Sequence, residues 1–162
     1  MFQIDTNPCS TFKELITGVD DKYIQQKHHI YLPEGSWIDL ETGRRISGGR
    51  WIVYPKDIEV IPMFLRENRV LPMLKEAPLH IDDNNFENLE LVINITDDLH
   101  QTYFDDGVEG QIRATQKDGI LEITLKDIPA ENFRIYAAEE ITSVTVNGTS
   151  KDFRKEDTYY LV

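Results

Sequence analysis

Residues 31–52 read YLPEGSWIDLETGRRISGGRWI and hold both tryptophans of the chain, Trp37 and Trp51. A short β-rich run, HHIYLP, is stopped by Pro33, and EGS turns the chain into WIDL. At the strand period of two, Trp37 and Asp39 fall on one face, and Ile38 and Leu40 on the other. ETGRR is a turn in which Gly43 supplies easy positive φ, and SGG is a second turn before RWIVYP. No catalytic group is evident in the stretch. Its spacing predicts hairpins whose tryptophans pack a β core.

Working outward, the same period continues. EVIPMFL (59–65) and RVLPML (69–74) are apolar runs each interrupted by proline, which cannot donate to a ladder, so these strands belong at edges or stop there. Beyond Pro78 come LELVINIT, HQTYFDD, QIRATQ, ILEITLK, NFRIYAA, ITSVTVNG and TYYLV. Turn residues separate these strand candidates at roughly 8–12-residue spacing, the pattern of an antiparallel sandwich. Asp118-Gly119 and Asn147-Gly148 suit the primed turns of tight hairpins. One stretch, PCSTFKELITGV (8–19), has helical spacing with Ser10 or Thr11 as N-cap, although its tail is also β-like. The composition shifts over PMLKEAP (72–78). The expected architecture is all-β: two small antiparallel β-sandwich modules, residues 1–76 and 77–162, with at most a short N-terminal helix.

Composition narrows the function classes. The 162 residues include 40% apolar residues, enough for a core, and carry a net charge of −12. Nucleic acid and anionic membrane surfaces would repel such a chain, so neither is an expected partner. Cys9 is the sole cysteine, which excludes an internal disulfide framework. The start, MFQIDTNPCSTFKE, has neither the basic nor the apolar region of a signal peptide, and no run reaches the ~20 apolar residues of a membrane span. A cytoplasmic location is therefore expected, with the sequons at Asn94 and Asn147 unglycosylated.

Taken together, these stretches resemble a known family. Tyr31, Leu32, Pro33, Gly35, Trp37, Asp39, Thr42, Gly43, Gly48 and Gly49 match the run that follows the catalytic barrel in glycoside hydrolase family 31, the α-glucosidases and α-xylosidases. Ile61, Pro62, Phe64, Leu71 and Pro72 resemble the next family stretch, and Tyr103, Asp105, Asp106 and Gly107 are similar to a turn of its distal β domain. The three matches keep the family's order. Gly18 departs from it, standing where the family has proline. A (β/α)8 barrel needs ~250 residues, and nothing here resembles the family's nucleophile segment. The resemblance implies a proximal and a distal β module that support a barrel, supplied in cis or in trans, and perform no hydrolysis themselves. A homodimer through the barrel-facing surface is the alternative way to cover that surface.

Candidate chemistry weighs in the same direction. Retaining glycosidases need two carboxyls about 5 Å apart, one of them kept protonated. Asp105 and Asp106 are tempting, but adjacent strand residues diverge and Asp-Asp-Gly is a common turn. Asp39 is placed to bond the amides of the turn that follows it. His28-His29 lacks partners at ligand spacing, and DDNN (82–85) with TDD (96–98) does not form an EF-hand. No catalytic residue, metal or cofactor is expected. Trp37, Trp51 and Tyr54, with Asp105 and Asp106, are the candidates for contact with an α-linked oligosaccharide, in the alternative reading as a carbohydrate-binding module.

Overall fold

The computed structural model describes residues 26–56, 61–75, 89–105 and 107–162. The helix expected over 8–19 lies outside these residues, as do Cys9, His80, Asp82–Asn85 and Asp106. Everything regular among them is β structure.

The N-terminal half of the described chain forms small sheets. β1 (Gln26–Leu32) pairs with β4 (Arg50–Lys56) in an antiparallel ribbon, with Tyr31 opposite Trp51 and His29 opposite Val53. β2 (Ser36–Asp39) pairs with β3 (Arg45–Ser47) and with β5 (Phe64–Arg66). β1 stops where proline appears in the sequence. Pro33 begins the link to β2, and Gly35, Gly43 and Gly49 take positive φ at the three bends.

Two five-stranded sheets build the larger body. One has the order β13-β12-β10-β9-β8, made from β8 (Asp98–Asp105), β9 (Val108–Lys117), β10 (Ile120–Lys126), β12 (Ser143–Val146) and β13 (Thr149–Lys151). The other has the order β14-β15-β11-β7-β6, made from β6 (Arg69–Leu74), β7 (Leu89–Ile95), β11 (Ala130–Ala137), β14 (Arg154–Lys155) and β15 (Tyr160–Leu161). Leu91, Ile93, Ile95, Ile112, Leu121, Ile123, Phe133, Ile135 and Val144 are buried between them as one core. Pro72 lies in β6, at the edge where a missing amide is tolerated. Asp118-Gly119 and Asn147-Gly148 both take positive φ at two-residue turns, as the primed type demands.

The sandwich is not purely antiparallel. β7 runs parallel to β11, and β10 parallel to β12. The cause is topological: after β10 the chain crosses to the other sheet as β11 and returns as β12. Two reversals leave β12 pointing with β10. Three intervening strands likewise leave β11 pointing with β7.

β7 also binds the two expected modules together. β6 lies before the expected boundary at 76/77, yet it pairs with β7 over six positions, so this sheet straddles the boundary. The β7 face turned away from the sandwich core is covered as well. Val92 packs in a second cluster with Ile38, Leu65 and Tyr136, so three layers stack with β7 in the middle one.

Candidate functional site

Asp39 is the most connected group of the N-terminal layers. It ends β2, is buried, and precedes the turn that Gly43 closes. The Glu41 amide donates to its Oδ1 at 3.1 Å, which is the expected Asx turn. Thr42 Oγ1 donates to Oδ2 at 2.8 Å, and Tyr54 OH donates to the same oxygen at 2.7 Å. Burial, then the hydrogen bond to the Asp39 carboxylate, pushes the Tyr54 hydroxyl up to about 12. Tyr54 also meets Phe64 edge-on at 5.6 Å. Its role as third donor was not legible, because nothing in a linear pattern tells which β4 residue reaches a β2 carboxylate.

Trp37 is held by a different set of contacts. Its indole N–H donates to the Pro33 carbonyl at 2.8 Å, and the Arg66 guanidinium lies 6.0 Å from its ring centroid. Gly48 closes over this bond. A Cβ there would come within 1.8 Å of the Pro33 oxygen and 2.8 Å of the indole nitrogen. The Gly-Gly pair of the sequence is thus a close backbone approach as well as a turn.

Trp51 faces the other way. On the β1–β4 ribbon, Leu32 and Tyr54 turn inward, whereas His29, Tyr31, Trp51 and Val53 share the outward face. Tyr31 is 50%, Trp51 66% and Val53 53% exposed. The Tyr31 and Trp51 rings contact each other at 5.5 Å with planes tilted by 54°.

The three aromatic candidates are therefore not gathered on one surface. Trp37 and Tyr54 make internal bonds, and Trp51 is on the opposite face of the ribbon from Tyr54. Asp105 ends β8 in the five-stranded β8–β13 sheet, where it pairs with Val108, and Gly107 takes φ 84°. Asp106 is outside the described residues.

The other buried carboxylate, Glu90 on β7, accepts two hydrogen bonds from Arg134 Nη2 at 2.9 and 3.1 Å. Arg134 lies across the Tyr159 ring at 5.5 Å. Four residues along β7, fully buried Asn94 accepts from Arg45 Nη1 at 3.0 Å and donates to the Leu65 carbonyl at 2.9 Å. Arg45 Nη2 donates to the Tyr136 carbonyl at 3.1 Å, and burial lowers its guanidinium pKa. Arg45 went unnoticed in the sequence. Its only sign was a second arginine after a turn, on a strand too short to show a face. Asn94 heads a sequon, and its burial leaves no room for a sugar in the folded chain.

Among the described residues no three histidine, cysteine or acidic side chains gather as a metal would need, and His29 and His100 are exposed. No helix among them is long and apolar enough to cross a membrane.

Sequence comparison agrees with this geometry. Residues 13–71 match the glycosyl hydrolase family 31 C-terminal domain. The chain is thus similar to the C-terminal β region of glycoside hydrolase family 31 enzymes. An isomaltosyltransferase of Sporosarcina globispora is 29% identical over 132 residues, 74% of this chain and 12% of the relative. An α-xylosidase of Saccharolobus solfataricus is 32% identical over 85 residues, 49% of this chain and 11% of the relative. The fold is similar to that of a cycloalternan-forming enzyme from Listeria monocytogenes solved with a pentasaccharide. The TM-score is 0.65 at 22% identity, over 85% of this chain and 16% of that one. The chain thus spans only about an eighth of the curated relatives it matches.

Proposed function

We propose that this chain is non-catalytic structural support for the catalytic barrel of a family 31-like α-glycosidase, present in cis or in trans. The parent would hydrolyse or transfer α-glucosides or α-xylosides. One observation carries the reading. The two buried carboxylates among the described residues are both fully engaged, Asp39 by three donors and Glu90 by Arg134. Neither is paired with a second acid, so neither can act as a proton donor beside a nucleophile. The test is the purified chain with nitrophenyl α-glucoside and α-xyloside. No release above blank is expected, and turnover that co-purifies with the chain would refute the reading.

A second reading has one observation in its favour. Trp51 is well exposed and rests against Tyr31, and aromatic faces of this kind bind sugars. Of the five candidate residues, Trp51 is the one whose ring stands free of internal hydrogen bonds. Titration with α-gluco-oligosaccharides into the millimolar range, followed by tryptophan fluorescence, decides it: a saturable shift absent in Trp51→Ala supports sugar binding, and a flat trace refutes it.

A further inference from the structure

Asn147 is the only asparagine of the chain followed by glycine. It stands in the tight turn between β12 and β13 at φ 50°, with Gly148 at φ 75°, and both residues are exposed. Nothing lies within 4 Å of the place a Gly148 Cβ would take, so the backbone there is uncrowded. The turn thus sets a thermolabile side-chain amide next to a backbone nitrogen that no β-carbon shields, in contact with water.

The chemistry follows from that pair. The Gly148 nitrogen gives its proton to water and attacks Asn147 Cγ. The N–Cγ bond forms as the Cγ–Nδ2 bond breaks, and Nδ2 takes up a proton and leaves as ammonia. Water then opens the five-membered imide at either carbonyl, leaving aspartate or isoaspartate. A bulky following residue hinders the attack, which sets Asn68-Arg69, Asn94-Ile95 and Asn132-Phe133 apart.

The fold opposes the first step. Asn147 Oδ1 accepts from the Leu125 amide at 2.8 Å, and the Asn147 amide donates to the Ile123 carbonyl at 2.8 Å. Both partners lie on β10, whose parallel ladder with β12 ends where Ile123 faces Val146. Asn147 therefore pins the β12–β13 hairpin to β10 one residue past that ladder. Oδ1 travels with Cγ, so closing the ring means leaving the Leu125 amide. Aspartate at the same position still accepts from Leu125. Isoaspartate adds a carbon to the main chain of a two-residue turn that pairs Val146 with Thr149.

We propose that Asn147 is a site of spontaneous covalent modification, losing its side-chain amide through a cyclic imide with Gly148. The bond from Leu125 gates the reaction, which proceeds when the hairpin lifts from β10. This inference is independent of the supporting role proposed above.

The experiment incubates the 162-residue chain at mildly alkaline pH, with and without urea, and separates asparagine, aspartate and isoaspartate peptides by mass spectrometry. Conversion in urea should lead at Asn147 and quicken as pH rises. The folded chain should convert at least ~30-fold more slowly, the suppression set by two hydrogen bonds of ordinary net strength. Below the unfolding transition, conversion should rise with urea in step with hydrogen exchange of the Leu125 amide, because one opening exposes both. In full urea, Gly148→Ala should slow conversion several-fold. Equal rates in the folded and unfolded chain, or conversion that does not follow the Leu125 exchange, overturn the gate. Conversion led by another asparagine in urea, or an unchanged rate in Gly148→Ala, overturns the site.

Discussion

Removing the Arg45 guanidinium should weaken the whole molecule rather than one layer. Arg45→Met keeps the aliphatic stem but strips donors from Asn94 Oδ1 and from the Tyr136 carbonyl, both on the middle sheet. Asn94 is fully buried, so its oxygen has no water to turn to. Each unsatisfied buried group costs about 1–3 kcal/mol. Arg45 is part-exposed, so the lower end applies to the Tyr136 bond, and about 2–4 kcal/mol in total is expected. At roughly 2–4 °C per kcal/mol for this chain length, the melting point should fall by about 4–16 °C. Asn94→Leu alone strands the Arg45 charge, but combined with Arg45→Met it removes both partners. The double variant should be more stable than the summed single losses imply, by about 0.5–3 kcal/mol. Urea unfolding followed by tryptophan fluorescence and far-ultraviolet circular dichroism reads both quantities. Tryptophan reports the β1–β5 layers, which hold Trp37 and Trp51, and circular dichroism the sandwich. Additive losses, or two probes with separate midpoints in the parent chain, would refute the claim that Arg45 locks the layers into one cooperative unit.

Other perturbations test separate contacts. Gly48→Ala drives a methyl into the Pro33 carbonyl and should cost about 1–3 kcal/mol with a shift in Trp37 emission. Gly148→Ala meets no neighbour and carries only the left-handed backbone penalty of about 1 kcal/mol. Equal losses at the two sites, by urea midpoint, would contradict the close approach. Tyr54→Phe should lose about 0.5–1.5 kcal/mol, because Asp39 keeps two of its three donors. The variant should also lose one late-titrating tyrosine in the 295 nm absorbance titration. The folded Tyr54 pKa of about 12 is above the ordinary 10, so its contribution is complete below pH 10 and fades as pH climbs from 10 towards 12. A variant as alkali-sensitive as the parent would exclude this. Glu90→Ala leaves the Arg134 guanidinium without its carboxylate. Discounted for partial exposure, the loss should be about 1–2 kcal/mol by urea midpoint. An unchanged midpoint would show the pair to be idle.

How much of this was legible depends on the range of each contact. The strands from Leu89 onward and both primed turns were readable, because alternation and Asn-Gly or Asp-Gly pairs are local signals. The edge position of Pro72 follows from its missing amide. The Asx turn at Asp39 was readable for the same reason, since its partners are two and three residues away. The parallel pairs were not, because they depend on how often the chain changes sheet. Nor was the burial of Glu90 and Asn94. LELVINI alternates as though one face met water, and only the folded chain lays Ile38, Leu65 and Arg45 over that face. Among the candidate contact residues, the sequence could not separate Trp51 from Trp37. Exposure was decided by the β1–β4 register, which sets Trp51 on the face opposite Tyr54, and by the Pro33 carbonyl that holds Trp37.

The β7–β11 ladder joins segments about forty residues apart, and β8, β9 and β10 must reverse before it can close. Such non-local closure places formation in the millisecond-to-second range. Through that interval the LELVINI strand, apolar at five of its seven positions, keeps a bare edge open to other nascent chains. Yield on overexpression should therefore track growth temperature and chaperone supply more steeply than equilibrium stability does, and stopped-flow refolding with a single sub-millisecond phase would argue otherwise.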